Sequence, residues 1–218
     1  MQIFLVLIPG ILGYLVGSIN FSILVTKYIG RFDIHAKGSG NAGGTNVART
    51  MGAGWGIAVI VAEILKGVVV GMFVRYIFPV DPLSLGELGP AITGAFAVFC
   101  CFIGNVFPVF YKFRGGGKGV TVCGAMMTML DVRVFLVLLG IFLVVFLFSR
   151  MVSLASIVGV ISMSVSTAVV YHGQEYWWVL FVIVTAMAVG VIIRHKANIV
   201  RIFHGNENKF SFSKKKKA

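Results

Sequence analysis

Seven apolar runs divide this chain, at about 3–29, 53–78, 89–111, 119–130, 134–149, 151–171 and 176–193. A helix needs about 20 apolar residues to cross the hydrocarbon of a bilayer. The pattern therefore predicts an all-α, polytopic membrane protein with about seven transmembrane helices, forming a single integral-membrane domain over residues 1–209. Two of the runs, 119–130 and 134–149, are short and also read as one broken helix. Composition agrees: 58% of the 218 residues are hydrophobic, only 12% are charged and mean hydropathy is +0.97. A soluble domain carries roughly 25% charged residues, so a disordered linker is excluded and an integral-membrane domain is preferred to an ordinary soluble globule. The first run has no Lys or Arg before Lys27 and is longer than the usual cleaved signal peptide.

A formal charge of +12 in a soluble chain would suggest nucleic acid. Here no nucleic-acid partner is expected, because the basic residues fall where membrane topology places them. With seven spans, Lys27, Arg31, Lys37, Arg49, Lys112, Arg114, Lys118, Arg150 and every basic residue from Arg194 onward share one side, sixteen of the nineteen in all. The other side holds Arg75 and Arg133 among Asp81, Glu87, Asp131 and Glu175. The positive-inside rule then puts the C-terminus in the cytoplasm and the N-terminus outside. Residues 210–218, ending in four lysines before Ala218, read as a basic cytoplasmic tail at the lipid surface. Glu63 and Lys66 lie three apart within the second span, and a structural ion pair is the preferred reading of such intramembrane charges. Cys100, Cys101 and Cys123 sit in apolar runs without CxxC or His-Cys spacing, so neither a disulfide framework nor a metal site is indicated. His35, His172 and His204 show no evident partners and read as surface residues. Arg150, Ser153 and Ser156 form a candidate polar patch.

Three hydrophilic segments carry the candidate chemistry. In the first, Lys37 to Thr50, the glycines Gly38, Gly40, Gly43 and Gly44 let backbone N–H groups converge on an anion. Ser39, Asn41, Thr45 and Asn46 add short polar groups, and Arg49 adds a fork suited to phosphate. The second, Lys112 to Val120, contains Gly115, Gly116, Gly117, Lys118 and Gly119. It is not a nucleotide P-loop, because Gly119 follows the lysine where Ser or Thr is needed and Lys112 replaces the first glycine. It still suits an anion cradle with Lys118 as a point charge. In the third, Ile192 to Asn208, helical spacing puts Arg194, His195, Asn198 and Arg201 near one face; a basic stop segment is the alternative.

Taken together, GSGNAGGTNVART, GGGKGV and RHKANIVRIFHGNE resemble the three motifs of the bacterial membrane acyl-phosphate:glycerol-3-phosphate acyltransferase family. The third matches at Arg194, His195, Asn198, Ile199, Arg201, Gly205 and Glu207. GSIN at 17–20, ExxKG at 63–67 and RMVSLAS at 150–156 support the likeness, which runs from about residue 13 to 207. Asn105 stands where the family favours His. The resemblance implies a multi-pass enzyme of the bacterial cytoplasmic membrane with its site facing the cytoplasm. It would move a fatty acyl group from acyl phosphate to the 1-hydroxyl of glycerol 3-phosphate, giving lysophosphatidic acid and phosphate, and would need no cofactor.

On that footing His195, Ser39, Lys118 and Asn198 are the candidate catalytic residues. Gly40, Asn41, Thr45, Asn46, Arg49, Gly115, Gly116, Gly117, Gly119, Arg194, Arg201 and Glu207 are the candidate substrate-binding set. The glycine-loop amides, Ser39, Asn41 and Lys118 would hold phosphates, while Arg49 and Asn198 orient glycerol 3-phosphate. Either His195 or the donor phosphate would take the hydroxyl proton. Ser39 as a covalent nucleophile is the less favoured role, since no base is identifiable beside it. An anion transporter fits less well, because the polar groups cluster at one side instead of mid-membrane.

Overall fold

The computed structural model describes residues 2–77 and 85–210. Asp81 and the lysines of the expected tail lie outside the described residues. Within them the chain is helical with no strand: α1 (Gln2–Gly17), α2 (Phe21–Tyr28), α3 (Gly44–Met51), α4 (Ala53–Met72), α5 (Gly89–Val106), α6 (Val120–Leu130), α7 (Val132–Ser149), α8 (Val152–Tyr171), α9 (Trp177–Arg194) and α10 (Lys196–Phe203).

Among the described residues, six stretches have the length and apolarity to cross a bilayer. They are Val6–Tyr28, Ala53–Tyr76, Gly86–Tyr111, Val132–Ser149, Val152–Tyr171 and Trp177–Arg194. The run at 119–130 yields only α6, of 11 residues. At 1.5 Å per residue that is about 16 Å, half the hydrocarbon thickness. It is nonetheless a helix separate from α7. Asp131 is extended (φ −154°, ψ 113°), and its carboxylate accepts from the Arg133 N–H and caps α7. The expected single first helix is in turn two, because the chain leaves helical geometry after Gly17 and restarts at Phe21, where Asn20 caps α2 by accepting from the Ile23 N–H.

α5 is the most enclosed span, with Ala95, Ala97, Val98 and Cys101 fully buried. Its faces meet α1, α4, α6 and α9, and the main core gathers Phe102, Val122, Met126, Leu180, Val184 and Met187 around it. α7 is the opposite case: only Leu138 is buried along its length, as a lipid-facing helix requires.

The α1–α5 crossing is set by small residues. A side chain at Gly13 would put its Cβ 2.1 Å from the Ala97 carbonyl oxygen, and one at Gly17 would lie 2.1 Å from that of Cys101. Between helices that gain no hydrophobic drive from each other in lipid, such backbone approach is the main source of association. It also fixes where α1 ends and the first polar segment begins. Gly17→Val, which meets backbone and not a flexible side chain, is expected to lower the melting temperature of the detergent-purified protein by about 10 °C. Gly140→Ala, with nothing within 4 Å, should leave it unchanged; equal melting of both variants would contradict this packing.

Candidate active site

At one end of the bundle the three hydrophilic segments meet around a cavity of about 560 Å3. The first is stiffened from inside by Asn46, which is 1% exposed. Its Oδ1 accepts from the Ser39 N–H (2.8 Å), and its Nδ2 donates to the carbonyls of Lys37 (3.0 Å) and Ile34 (3.3 Å). Asn46 thus lines the cavity but spends its side chain holding the loop. Ser39, Gly40, Asn41, Thr45 and Arg49 also line it.

In the second segment Gly119 adopts φ +80° and caps α6, and a side chain there would strike the Phe102 ring at 2.2 Å. Gly117 donates its N–H to the Asn105 carbonyl (3.0 Å). Gly117, Lys118 and Gly119 line the cavity, whereas Gly115 and Gly116 do not. The carbonyls of that last pair are structural acceptors instead: Gly115 takes the His35 Nε2 bond (2.9 Å) and Gly116 takes an Arg194 guanidinium N–H (3.4 Å). His35 is therefore no free surface residue, and it also bonds Asp33 through Nδ1 (2.8 Å). The N-termini of α3 and α6 both lack a side-chain cap, and Gly43, Gly44, Val120 and Thr121 around them line the same space. Unsatisfied amides and the positive ends of two helix dipoles favour an anion there.

The third segment does not continue α9 without interruption. The backbone departs from helix at His195 (φ −96°, ψ 6°) and α10 follows, yet Ile199 N–H still donates to the His195 carbonyl (2.9 Å), so His195 and Asn198 keep one face. The chain then turns back and buries Glu207 beneath α10. Its Oε1 accepts from Asn198 Nδ2 (2.8 Å) and Ser153 Oγ (3.0 Å), and its Oε2 accepts from Arg201 Nε (2.9 Å). Lys118 Nζ donates to Asn198 Oδ1, which ties the second segment to the third. Of the RMVSLAS residues, Val152, Ser153 and Ser156 line the cavity; Arg150 does not, and its side chain is exposed.

Charge is graded with depth. Arg49 and Arg194 are exposed at the mouth, Lys118 is half-buried, and His195, Asn198 and Glu207 are buried. Burial pushes the Lys118 ammonium down to about 8; the Glu207 carboxylate resists, and Arg201, Arg194 and Arg49 add to the fall. Burial also pushes His195 down to about 4, reinforced by the Lys118 charge. His195 is then neutral at pH 7. Its Nδ1 bonds the Val191 carbonyl (2.8 Å), which only accepts, so the proton sits on Nδ1 and Nε2 carries a lone pair. Burial pushes Glu207 up, but bonds from Asn198, Ser153 and Arg201 outweigh it and hold the carboxyl below its ordinary value.

Below the charged mouth the cavity becomes apolar, bounded by Ile64, Met127, Phe135, Leu138, Phe142 and Met163 on α4, α6, α7 and α8. Sequence reasoning missed this arm, because its residues are indistinguishable from lipid-facing ones. It also missed that Glu63, Asn105 and Ser22 reach the cavity. An in-span carboxylate and a departure from family pattern drew attention to the first two, and nothing pointed to Ser22.

Fold and cavity define the class: a polytopic helical membrane protein whose cationic, glycine-lined recess opens into an apolar arm. The family model for glycerol-3-phosphate acyltransferase matches residues 7–205. The glycerol-3-phosphate acyltransferase of Exiguobacterium sibiricum is 40% identical over 209 residues, covering 95% of each chain. That of Geobacillus kaustophilus is 39% identical, covering 94% of this chain and 96% of its own. A solved structure of PlsY, an integral membrane glycerol 3-phosphate acyltransferase in its glycerol 3-phosphate form, superposes with a TM-score of 0.83 at 30% identity over 94% of this chain and 96% of that one. This chain belongs to the glycerol-3-phosphate acyltransferase family.

Glu207→Gln keeps the shape of its neighbourhood and removes the charge. Lys118 then loses the carboxylate that helps retain its proton and should titrate about one unit lower. The pH dependence of Lys118 acetylation, followed by mass spectrometry, measures this. An unchanged titration would mean that Lys118 does not sense Glu207.

Proposed function

We propose that this protein transfers a fatty acyl group from an acyl phosphate to the 1-hydroxyl of glycerol 3-phosphate, at the cytoplasmic face of a bacterial cytoplasmic membrane. The observation that carries the reading is the joining, within one cavity, of four cations and two uncapped helix N-termini to an apolar arm. Such a space suits two phosphates and one acyl chain together. The similar PlsY has been solved in glycerol 3-phosphate and lysophosphatidic acid forms, and both ligands are carried to this chain by the proposal. The cytoplasmic orientation rests on the distribution of basic residues.

In this reading the glycine-loop amides, Ser39, Asn41 and Lys118 hold phosphate, and the acyl chain fills the apolar arm. Arg49 and Asn198 place glycerol 3-phosphate, with Arg194 and Arg201 adding positive charge. Glu207 orients Asn198 and Arg201, since a buried carboxylate would repel a phosphate. Asn46, Gly115 and Gly116 shape the loops. The 1-hydroxyl oxygen attacks the donor carbonyl carbon, the carbonyl–phosphate bond breaks, and phosphate leaves. His195 Nε2 accepts the hydroxyl hydrogen bond and aims the oxygen. As a base held near 4 it is poorly matched to neutral pH, so the proton passes to the departing phosphate, whose leaving oxygen becomes strongly basic as the carbonyl–phosphate bond breaks. An activated mixed anhydride leaves positioning and charge stabilisation to supply most of the rate.

The protein in phospholipid vesicles with glycerol 3-phosphate and palmitoyl phosphate should form lysophosphatidic acid and inorganic phosphate, and palmitoyl-CoA should replace the donor poorly. No product, or equal rates from CoA, would refute the donor assignment. Lys118 is charged below about 8 and neutral above, so kcat/KM should decline as pH rises through that value; a flat profile from pH 7 to 9 would remove Lys118 from phosphate binding. His195→Ala should lower turnover by about 100-fold with a smaller effect on glycerol 3-phosphate affinity. Wild-type turnover in that variant would show that no group at 195 is needed to aim the hydroxyl.

A further inference from the structure

Serine and threonine inside a helix give their proton to the carbonyl four residues back when nothing else takes it. This chain does so at Ser18, Thr26, Thr93, Thr128, Ser149, Ser156, Ser162 and Thr167. Ser22 lacks that outlet. The residue four before it, Ser18, lies within the break at 18–20, outside the helix that Asn20 caps. The Ser22 hydroxyl is buried without a hydrogen-bond partner, and the residue is 1% exposed. Leaving such a group unmade costs stability, so native structures rarely do it without reason.

Two other buried hydroxyls share this state among the described residues, Ser164 and Thr185. Both line a shallow groove between α8 and α9 whose other walls, such as Val165 and Phe181, are apolar. Ser22 instead lines the charged cavity, which Glu63, Asn105, Gly44, Gly117 and Lys118 also line. The two residues before it are anchored there. The Phe21 N–H donates to Glu63 Oε1 (2.8 Å), and Asn20 Nδ2 donates to the Ala42 carbonyl (3.4 Å) within the first glycine segment. Glu63 is already matched by Lys66 and Asn105, and neither of its oxygens bonds the Ser22 hydroxyl. What the hydroxyl lacks is an acceptor, and an acceptor-rich anion is what the surrounding cations and amides attract.

We propose that Ser22 is a further substrate-binding residue, its hydroxyl donating a hydrogen bond to a phosphate oxygen of a bound substrate on the glycine-loop wall. The inference rests on the proposed reaction for the presence of phosphate in the cavity. Glycerol 3-phosphate and the acyl phosphate share the required chemistry, and the test distinguishes them.

The full chain, purified in detergent as wild type, Ser22→Ala and Ser22→Thr, is titrated calorimetrically with glycerol 3-phosphate and, separately, with hexadecyl phosphate as an unreactive stand-in for the donor. Unliganded Ser22→Ala should melt at or above the wild-type temperature, because it removes a hydroxyl with no partner. Its Kd for one of the two ligands should rise about tenfold or more, with the other within twofold and with Ser22→Thr restoring the loss; the affected ligand identifies the phosphate. Wild-type binding of both ligands with Ser22→Ala affinities within twofold overturns this assignment alone and leaves the proposed reaction standing. An unliganded Ser22→Ala that melts lower and loses both affinities together also overturns the assignment, since that is the mark of a structural hydroxyl. A wild type that binds neither ligand overturns the proposed reaction and this inference with it.

Discussion

The Glu63–Lys66 ion pair, 2.7 Å long with each side chain only 5% exposed, closes both ends of the break in the first membrane-crossing run. Lys66 Nζ donates to the carbonyls of Gly17 and Ile19, where α1 stops. Glu63 Oε1 accepts from the Phe21 N–H, where α2 starts. A helix end leaves several backbone groups unsatisfied, and lipid offers no water to take them. Buried charges are costly unless paired and hydrogen-bonded. Each problem answers the other here: the freed carbonyls and amide complete the shell of the pair, and the pair makes an interrupted span tolerable at membrane depth.

The rest of the site depends on that interruption. Because α1 stops at Gly17, Asn20 is free to cap α2 and bond Ala42, so the first glycine segment is carried on a short helix fixed to α4. Because the pair is internally neutral, Glu63 can stand at the cavity wall without cancelling its positive character. Glu207 is occupied in the same way by Arg201, Asn198 and Ser153. Both carboxylates at the cavity are thus internally bonded, while Arg49 and Lys118 line the cavity without an acidic partner of their own among the described residues. The low value of Lys118, about 8, reflects its own burial first, with the charges of Arg201, Arg194 and Arg49 adding to it against the pull of Glu207.

Much of this was legible in the sequence, because span length and hydropathy are local properties. The seven apolar runs correspond to six membrane-length stretches, the first of them broken into α1 and α2, and to the shorter α6, and the intramembrane pair is read directly from charges three apart. What stayed hidden was set by distance relationships. The break after Gly17 lies in an apolar run and depends on Lys66, 49 residues away. Asn46, Gly115 and Gly116 look like ligand groups in a polar segment, and only the fold reveals that their bonds turn inward or toward His35 and Arg194. Glu207 matches a motif but folds back onto the residues that precede it. The apolar arm has no signature of its own, since Phe135, Leu138 and Phe142 on α7 suit lipid as well as a cavity wall.

Asn105, where the resemblance led to an expectation of His, has a physical role of its own. It is 4% exposed, and its Nδ2 donates to Glu63 Oε2 (2.9 Å) while its backbone carbonyl accepts from the Gly117 N–H (3.0 Å). A Cβ at Gly117 would lie 2.9 Å from Asn105 Oδ1 and 3.1 Å from the Ala42 carbonyl oxygen, so the two glycine segments cross directly above this side chain. What the position requires is one N–H aimed at a carboxylate whose charge Lys66 already balances. An amide meets that need, and unlike an imidazole it cannot gain a proton and bring a second cation to the pair. Through Asn105 the ion pair that closes the break in the first span also supports the segment that presents Lys118.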